Sequence, residues 1–204
     1  MSEVQPEKRR PDLLKWAIGC FALIGVAAVL YVIASASFKP KEAADLRDFK
    51  RGELAKLDVP ATPRPAPTQT FTDADGKTVS IADFKGRVVV LNLWATWCAP
   101  CKIEMPTLAK LQGAYLTAPL DVVAVSVDRD SDLNLARSDI AKNAPLKLYR
   151  DPGYKLAFGL TPRAAGFPTT IVFDKRGQER ARLAGEADWN SPEARQLVEA
   201  LLNE

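Results

Sequence analysis

The sequence predicts an α/β domain, a mixed central sheet flanked by helices, carried behind an N-terminal transmembrane helix. Three observations predict it. Two near-continuous apolar runs, "RVVVLNLW" at 87–94 and "DVVAVSVD" at 121–128, have the length and density of strands covered on both faces. The segment between them, from about Ala99 to Tyr115, is long enough for a crossover helix, so the three form a βαβ unit. Trp16 to Phe38 holds no charged residue, and about 23 residues make about 34 Å of helix, enough for a hydrocarbon core of roughly 30 Å.

Residues 1–15 form a short basic tail containing Lys8, Arg9, Arg10 and Lys15. Residues 16–38 follow as the anchor. A cleaved signal peptide is the rival reading, because Ala34-Ser35-Ala36 has the small-residue cleavage form. The apolar run is longer than the usual signal core of about 7–15 residues, which favours an uncleaved anchor. Cys20, inside the run, reads as a small apolar filler. Basic residues flank both ends, so charge asymmetry does not fix the orientation. Residues 39–66 read as a charged, exposed short helix over 41–57. A stiff spacer follows, in which Pro60, Pro63 and Pro65, with Pro67 just beyond, forbid helix; its last few residues have an ordered arm packed on the domain as the alternative.

The domain is expected over 67–204. "QTFTDADGKTVSI" reads as two short runs around Asp75-Gly76, a hairpin signal. After the βαβ unit, "TTIVFDKRGQERARLAGE" reads as two strands folded at Lys175-Arg176-Gly177. The last helix has Ser191 as its cap, Pro192 at its first position, and an apolar stripe of Leu197, Val198, Leu201 and Leu202. The resulting order is β-β-α-β-α-β-β-α.

Composition excludes several chemistries. There is no histidine in the 204 residues, so no Ser–His–Asp triad, Cys–His nucleophile or His-ligated metal site is available. Three cysteines are too few for a disulfide scaffold. Acidic and basic residues balance from Pro67 onward, and no basic motif with interleaved aromatics supports nucleic-acid binding. What remains is "WATWCAPCKIEMP" at 94–106, with Cys98 and Cys101 just past the end of a central strand, where a helix begins. A helix N-terminus offers unpaired N–H groups and partial positive charge, which favour a thiolate. Pro100 lacks a donor and suits the first turn. Cys98, at the loop edge, is the expected attacking thiol; Cys101, one turn in, is expected to resolve the mixed disulfide. Zinc would need four ligands where two thiolates stand, and so short a loop makes a weak staple. The favoured reading is a redox-active Cys98–Cys101 disulfide with no metal and no cofactor. Copper transfer and a structural bridge remain as alternatives; a peroxidase on the same fold lacks the Pro-x-x-x-Thr-x-x-Cys arrangement.

"WCAPCK", Pro106 eight residues after Cys98, and "GFPTT" at Gly166–Thr170 resemble the thioredoxin superfamily, most closely the TlpA/ResA-like membrane-anchored thioredoxins. The resemblance implies a thioredoxin-like fold and a cis Pro168 facing the cysteines. It also implies an anchor in the inner membrane with the domain on the extracytoplasmic, periplasmic side. Expected partners are exported protein disulfides, such as cytochrome c or cytochrome oxidase assembly substrates, with a transmembrane thiol relay as electron donor. Trp97, Pro100, Phe167 and Pro168 are the residues expected to meet the substrate. Soluble thioredoxins carry a buried aspartate six residues before the first cysteine; Asn92 stands there instead and cannot titrate. Glu104, three residues beyond Cys101 and on the same helix face, is the expected proton carrier, the alternative being a favourable charge in a first helical turn.

Overall fold

The computed structural model describes residues 25–26, 28–31 and 44–204. The basic tail, Cys20 and most of the expected span at 16–38 lie outside the described residues. Residues 25–26 and 28–31 are helical, and among the described residues no helix is long and apolar enough to cross a membrane. Ala43–Glu204 forms one compact unit.

Its elements in chain order are β1 (Phe71–Asp73), β2 (Thr78–Val79), β3 (Val88–Trp94), α1 (Ala99–Ala114), β4 (Leu120–Ser126), α2 (Leu133–Ala141), β5 (Lys147–Arg150), α3 (Lys155–Gly159), β6 (Thr169–Phe173), β7 (Glu179–Ala184) and α4 (Pro192–Leu202). They build one mixed sheet in the order β2-β1-β5-β4-β3-β6-β7. β3 pairs parallel with β4 from Val88–Leu120 to Trp94–Ser126, and β4 pairs parallel with β5. β6 runs antiparallel on the other side of β3, and β7 antiparallel to β6.

All seven residues of β3 are buried, because helices cover both faces of the sheet. The two-residue period of the strand divides them. Val88, Val90 and Trp94 join the layer containing Leu108 and Leu111 of α1 and Leu197, Val198 and Leu201 of α4. Val89, Leu91 and Leu93 join Val123, Val125, Ile171, Phe173 and Leu156 on the other face. Asn92 keeps the first phase, so the strand turns its amide toward α1. Each fully buried Leu or Val contributes roughly 1.5–3 kcal/mol to this core.

Three expectations are corrected. The order β-β-α-β-α-β-β-α has five strands and three helices where the described residues contain seven and four: both strands of the expected 71–79 hairpin form ahead of β3, so three strands rather than two precede α1, and β5 and α3 are new. β5 escaped because it is four residues long with one buried position. The exposed helix over 41–57 is two 3-10 turns, Leu46–Phe49 and Gly52–Leu54, and Leu46, Leu54 and Leu57 are buried in the core. Gly52 opens the second turn at φ +50, and a Cβ there would lie 2.1 Å from Oε1 of Glu193. The Pro-rich segment is an arm on the domain rather than a spacer. Asp58 and Arg64 bridge antiparallel to Arg182 and Glu179 of β7, and Arg64 pairs with Asp58 and with buried Glu179, each at 2.9 Å. Proline cannot donate to a ladder, and only the non-proline residues Asp58 and Arg64 make the bridges.

Candidate active site

The chain leaves β3 at Trp94 and enters α1 through Cys98, whose extended backbone (φ −91, ψ 102) makes it the N-cap. Its Sγ accepts the N–H of Cys101 at 3.3 Å, one of the donors a helix start leaves unpaired. Pro100 occupies the first turn without sacrificing a hydrogen bond. Cys98 and Cys101 form a disulfide, with Cα atoms 5.3 Å apart. Cys98 is 5% exposed and Cys101 0%, so whatever access the pair has is through Cys98. Lys102 pairs with Asp139 of α2 at 3.1 Å.

The loop before Cys98 is held from β4. Buried Asp128 accepts the Thr96 N–H at 2.9 Å, the Thr96 hydroxyl at 2.8 Å and the Ser126 hydroxyl at 2.8 Å. This clamp leaves Trp97 61% exposed beside the cysteines. Its ring meets Phe167 edge-on at 5.8 Å, joining the loop ahead of Cys98 to the loop ahead of β6. There the Phe167–Pro168 peptide is cis, Pro168 is buried, and its carbonyl accepts the Gly185 N–H at 2.9 Å. The sequence-derived Cys98, Cys101, Trp97, Pro100 and Phe167 thus gather at one end of the sheet, with Pro168 one residue from Phe167.

Glu104 lies below, on the buried side of α1, 1% exposed. Asn92 donates to its Oε1 at 2.6 Å, and the Ala187 N–H and Trp189 indole donate to its Oε2 at 3.2 and 3.3 Å. Burial pushes its carboxyl up to about 7; the three donors oppose the rise without cancelling it, and the nearby Glu186 charge adds to it. Asn92 also donates to Thr170 at 2.9 Å, which leaves its own Oδ1 buried without a partner. Thr107 ties the same loop to the helix, accepting the Trp189 N–H at 3.0 Å and donating to the Glu104 carbonyl at 2.7 Å.

This arrangement can exchange disulfides. It offers one reachable sulfur at a helix tip, a second beneath it, and a carboxyl, with no cation beside it among the described residues, whose pKa burial raises to about 7. Among the described residues no three His, Cys, Asp or Glu side chains gather as a metal site. Sequence reasoning missed Asp128, Thr170 and Trp189. Asp128 had a signal, as a carboxylate at the carboxyl end of a central strand, where sites form in such sheets. Trp189, 85 residues from Glu104 in the chain, had none.

Comparison with known proteins agrees. The Redoxin family matches residues 61–201. The thiol-disulfide oxidoreductase ResA of Bacillus cereus is 31% identical over 140 residues, covering 67% of this chain and 77% of its own length. Among solved structures, a protein described as the thiol:disulfide interchange protein DsbE from Chlorobium tepidum aligns with TM-score 0.58 at 26% identity, covering 72% of this chain and 99% of that one. A DsbF homologue from Corynebacterium diphtheriae aligns with TM-score 0.59 at 28% identity, covering 73% and 93%. With a thioredoxin-like fold and a Cys98–Cys101 pair at disulfide distance, the chain belongs to the Redoxin family and is a thiol-disulfide oxidoreductase of the ResA-like kind.

Proposed function

We propose that this protein is a membrane-anchored, extracytoplasmic reductase of disulfides in exported proteins, with cytochrome c or cytochrome oxidase assembly proteins as its substrate class. The observation that carries the reductase reading is Glu104, buried beneath the cysteine helix without a cation and with its carboxyl at about 7. A reductase must deprotonate its second thiol, and a carboxyl near the working pH suits that transfer. The charge-free run at 16–38 supports the anchor. Tethering places the domain beside a membrane-embedded dithiol donor and raises the effective concentration of each for the other.

In the dithiol form, the Cys98 thiolate attacks one sulfur of the target disulfide. The target S–S bond breaks, and its other sulfur leaves as a thiolate and takes a proton. Cys101 gives its proton toward Glu104 and attacks Sγ of Cys98. The mixed disulfide breaks, the second target sulfur departs as a thiolate and takes a proton, and the Cys98–Cys101 bond forms. Two electrons have passed to the target, and the donor dithiol returns them. Trp97, which precedes Cys98 in the chain, and Phe167, whose ring meets it, with the adjoining Pro168, would receive the target segment.

The test is a trap. In membranes, Cys101→Ser protein is expected to accumulate mixed disulfides with exported proteins through Cys98, and the additional Cys98→Ser change to abolish them. Equal capture without Cys98 overturns the reading.

A further inference from the structure

The aromatic contact between Trp97 and Phe167 does not end at the cysteine rim. Phe167 meets Tyr154 at 6.1 Å, and Tyr154 stacks on Phe158 at 6.0 Å with 28° between the rings. The Arg163 guanidinium carbon lies 6.0 Å from the centroid of Phe158. The two ends of this ladder are exposed, Trp97 at 61% and Phe158 at 60%. Its middle is anchored, because Tyr154 and Phe167 both pack against the core on each side of the sheet.

The backbone is arranged to hold the ladder in place. Tyr154 has φ +57, a left-handed conformation uncommon for a bulky residue. Buried Asp151 fixes it: the Asp151 carbonyl accepts the Tyr154 N–H at 3.0 Å, and its carboxylate accepts the N–H groups of Lys155 and Leu156 at 3.0 and 2.8 Å. Helix α3 is thereby held with Phe158 facing out beside Tyr154. Rigid aromatic residues that offer apolar area at little entropic cost are characteristic of binding surfaces.

We propose that the ladder from Trp97 through Phe167 and Tyr154 to Phe158, ending at Arg163, is a docking track for the extended segment that flanks a substrate protein's target cysteine, selecting an apolar side chain followed by a carboxylate. The track starts beside Cys98, so a segment seated on it is continuous with the disulfide being exchanged. Its three ring spacings correspond to about five residues of extended chain at ~3.3 Å each. The apolar residue lies against the exposed Phe158 face, and the carboxylate pairs with the exposed Arg163, which none of the ion pairs among the described residues includes. The inference rests on the reading of Cys98 as the attacking thiol.

The test uses the full-length dithiol protein in detergent and synthetic peptides carrying one cysteine as its methyl disulfide. One peptide has Leu and Asp about five residues from the cysteine on either side; a second replaces Asp by Lys, and a third replaces Leu by Gly. Single-turnover rate constants are compared within each protein, so that any loss of folded material cancels. The natural protein is expected to favour the Asp over the Lys peptide by roughly five- to tenfold at low salt, and Arg163→Glu to invert that order. Phe158→Ala is expected to reduce a roughly fivefold preference for Leu over Gly to about one. Retention of the Asp preference by Arg163→Glu, or of the Leu preference by Phe158→Ala, overturns the track. Failure of the natural protein to reduce any of the peptides overturns the exchange chemistry itself, and the track with it.

Discussion

Two buried carboxylates, Asp174 just past the end of β6 and Glu104 on α1 linked through Asn92 to Thr170 near the start of β6, behave in opposite ways. Asp174 follows Phe173 at the end remote from the cysteines and is 3% exposed; Glu104 is 1% exposed. For both, burial is the largest influence and raises the pKa. At Asp174 that rise is more than offset by the Gln178 N–H at 2.9 Å and by the Arg176 guanidinium at 3.0 Å and N–H at 2.9 Å, and the carboxyl ends below its ordinary range. Arg180 adds a second cation at 3.3 Å. Glu104 has three neutral donors and, among the described residues, no paired cation, and rises to about 7. Burial alone therefore does not make a proton site. The absence of a paired cation lets the carboxyl rise, and the same physics that holds Asp174 as an anchor suits Glu104 to the proton transfer proposed for it.

The most direct way to break this comparison is Glu104→Gln. It is expected to slow disulfide exchange at neutral pH by on the order of 10²-fold and to remove the limb of the pH–rate profile near 7, while Asp174→Asn leaves that profile in place. Stopped-flow exchange across pH decides it; an unchanged limb ends the proton role. Stability should respond next. Between the ordinary 4.5 and about 7, native Glu104 holds a proton that the unfolded chain has released, so stability falls as pH rises through that window and stays lower above it. The cost is about 3 kcal/mol at pH 8. Urea unfolding should show the natural protein losing about that much relative to Glu104→Gln between pH 5 and pH 8, and a pH-independent difference refutes it. Asp174 works the other way, since its stabilisation is present above 3.8 and lost as pH falls through its lower folded value. Asp174→Asn should therefore cost about 2 kcal/mol at neutral pH by thermal unfolding, with the difference vanishing in strong acid. The smallest effect is Thr170→Val, which removes an acceptor of the Asn92 amide and should cost about 1 kcal/mol while shifting the limb near pH 7 only slightly.

Legibility in the sequence followed the range of the interactions. β3 and β4 were readable because a near-continuous apolar run reports burial on both faces, and α1 because the segment between them has the length of a crossover helix. The cap at Ser191, which accepts the Ala194 N–H at 3.3 Å, and the turn at Gly177 (φ +78) are local chemistry and were placed correctly. Glu104 was visible as a position three residues past Cys101. Its environment was not, because Ala187 and Trp189 reach it from the far end of the chain. β5 and α3 are too short to show a period, and their lengths are set by what they pack against. The proline-rich arm was expected only as an alternative, and only for its last few residues, because proline reports what a segment cannot be. The leucines that dock it, Leu54 and Leu57, lie upstream in a stretch whose charge suggested solvent.

That arm has a practical consequence. β7 is the outermost strand on its side of the sheet, and the bridges at Asp58 and Arg64 occupy hydrogen-bonding groups it would otherwise present outward. A fragment cut at Pro67 would strip Glu179 of Arg64 and offer neighbouring molecules an open template, an invitation to stick edge to edge. Preparations begun near residue 44 should stay monodisperse where shorter ones cluster, which makes this proline-studded ribbon a built-in guard against self-association.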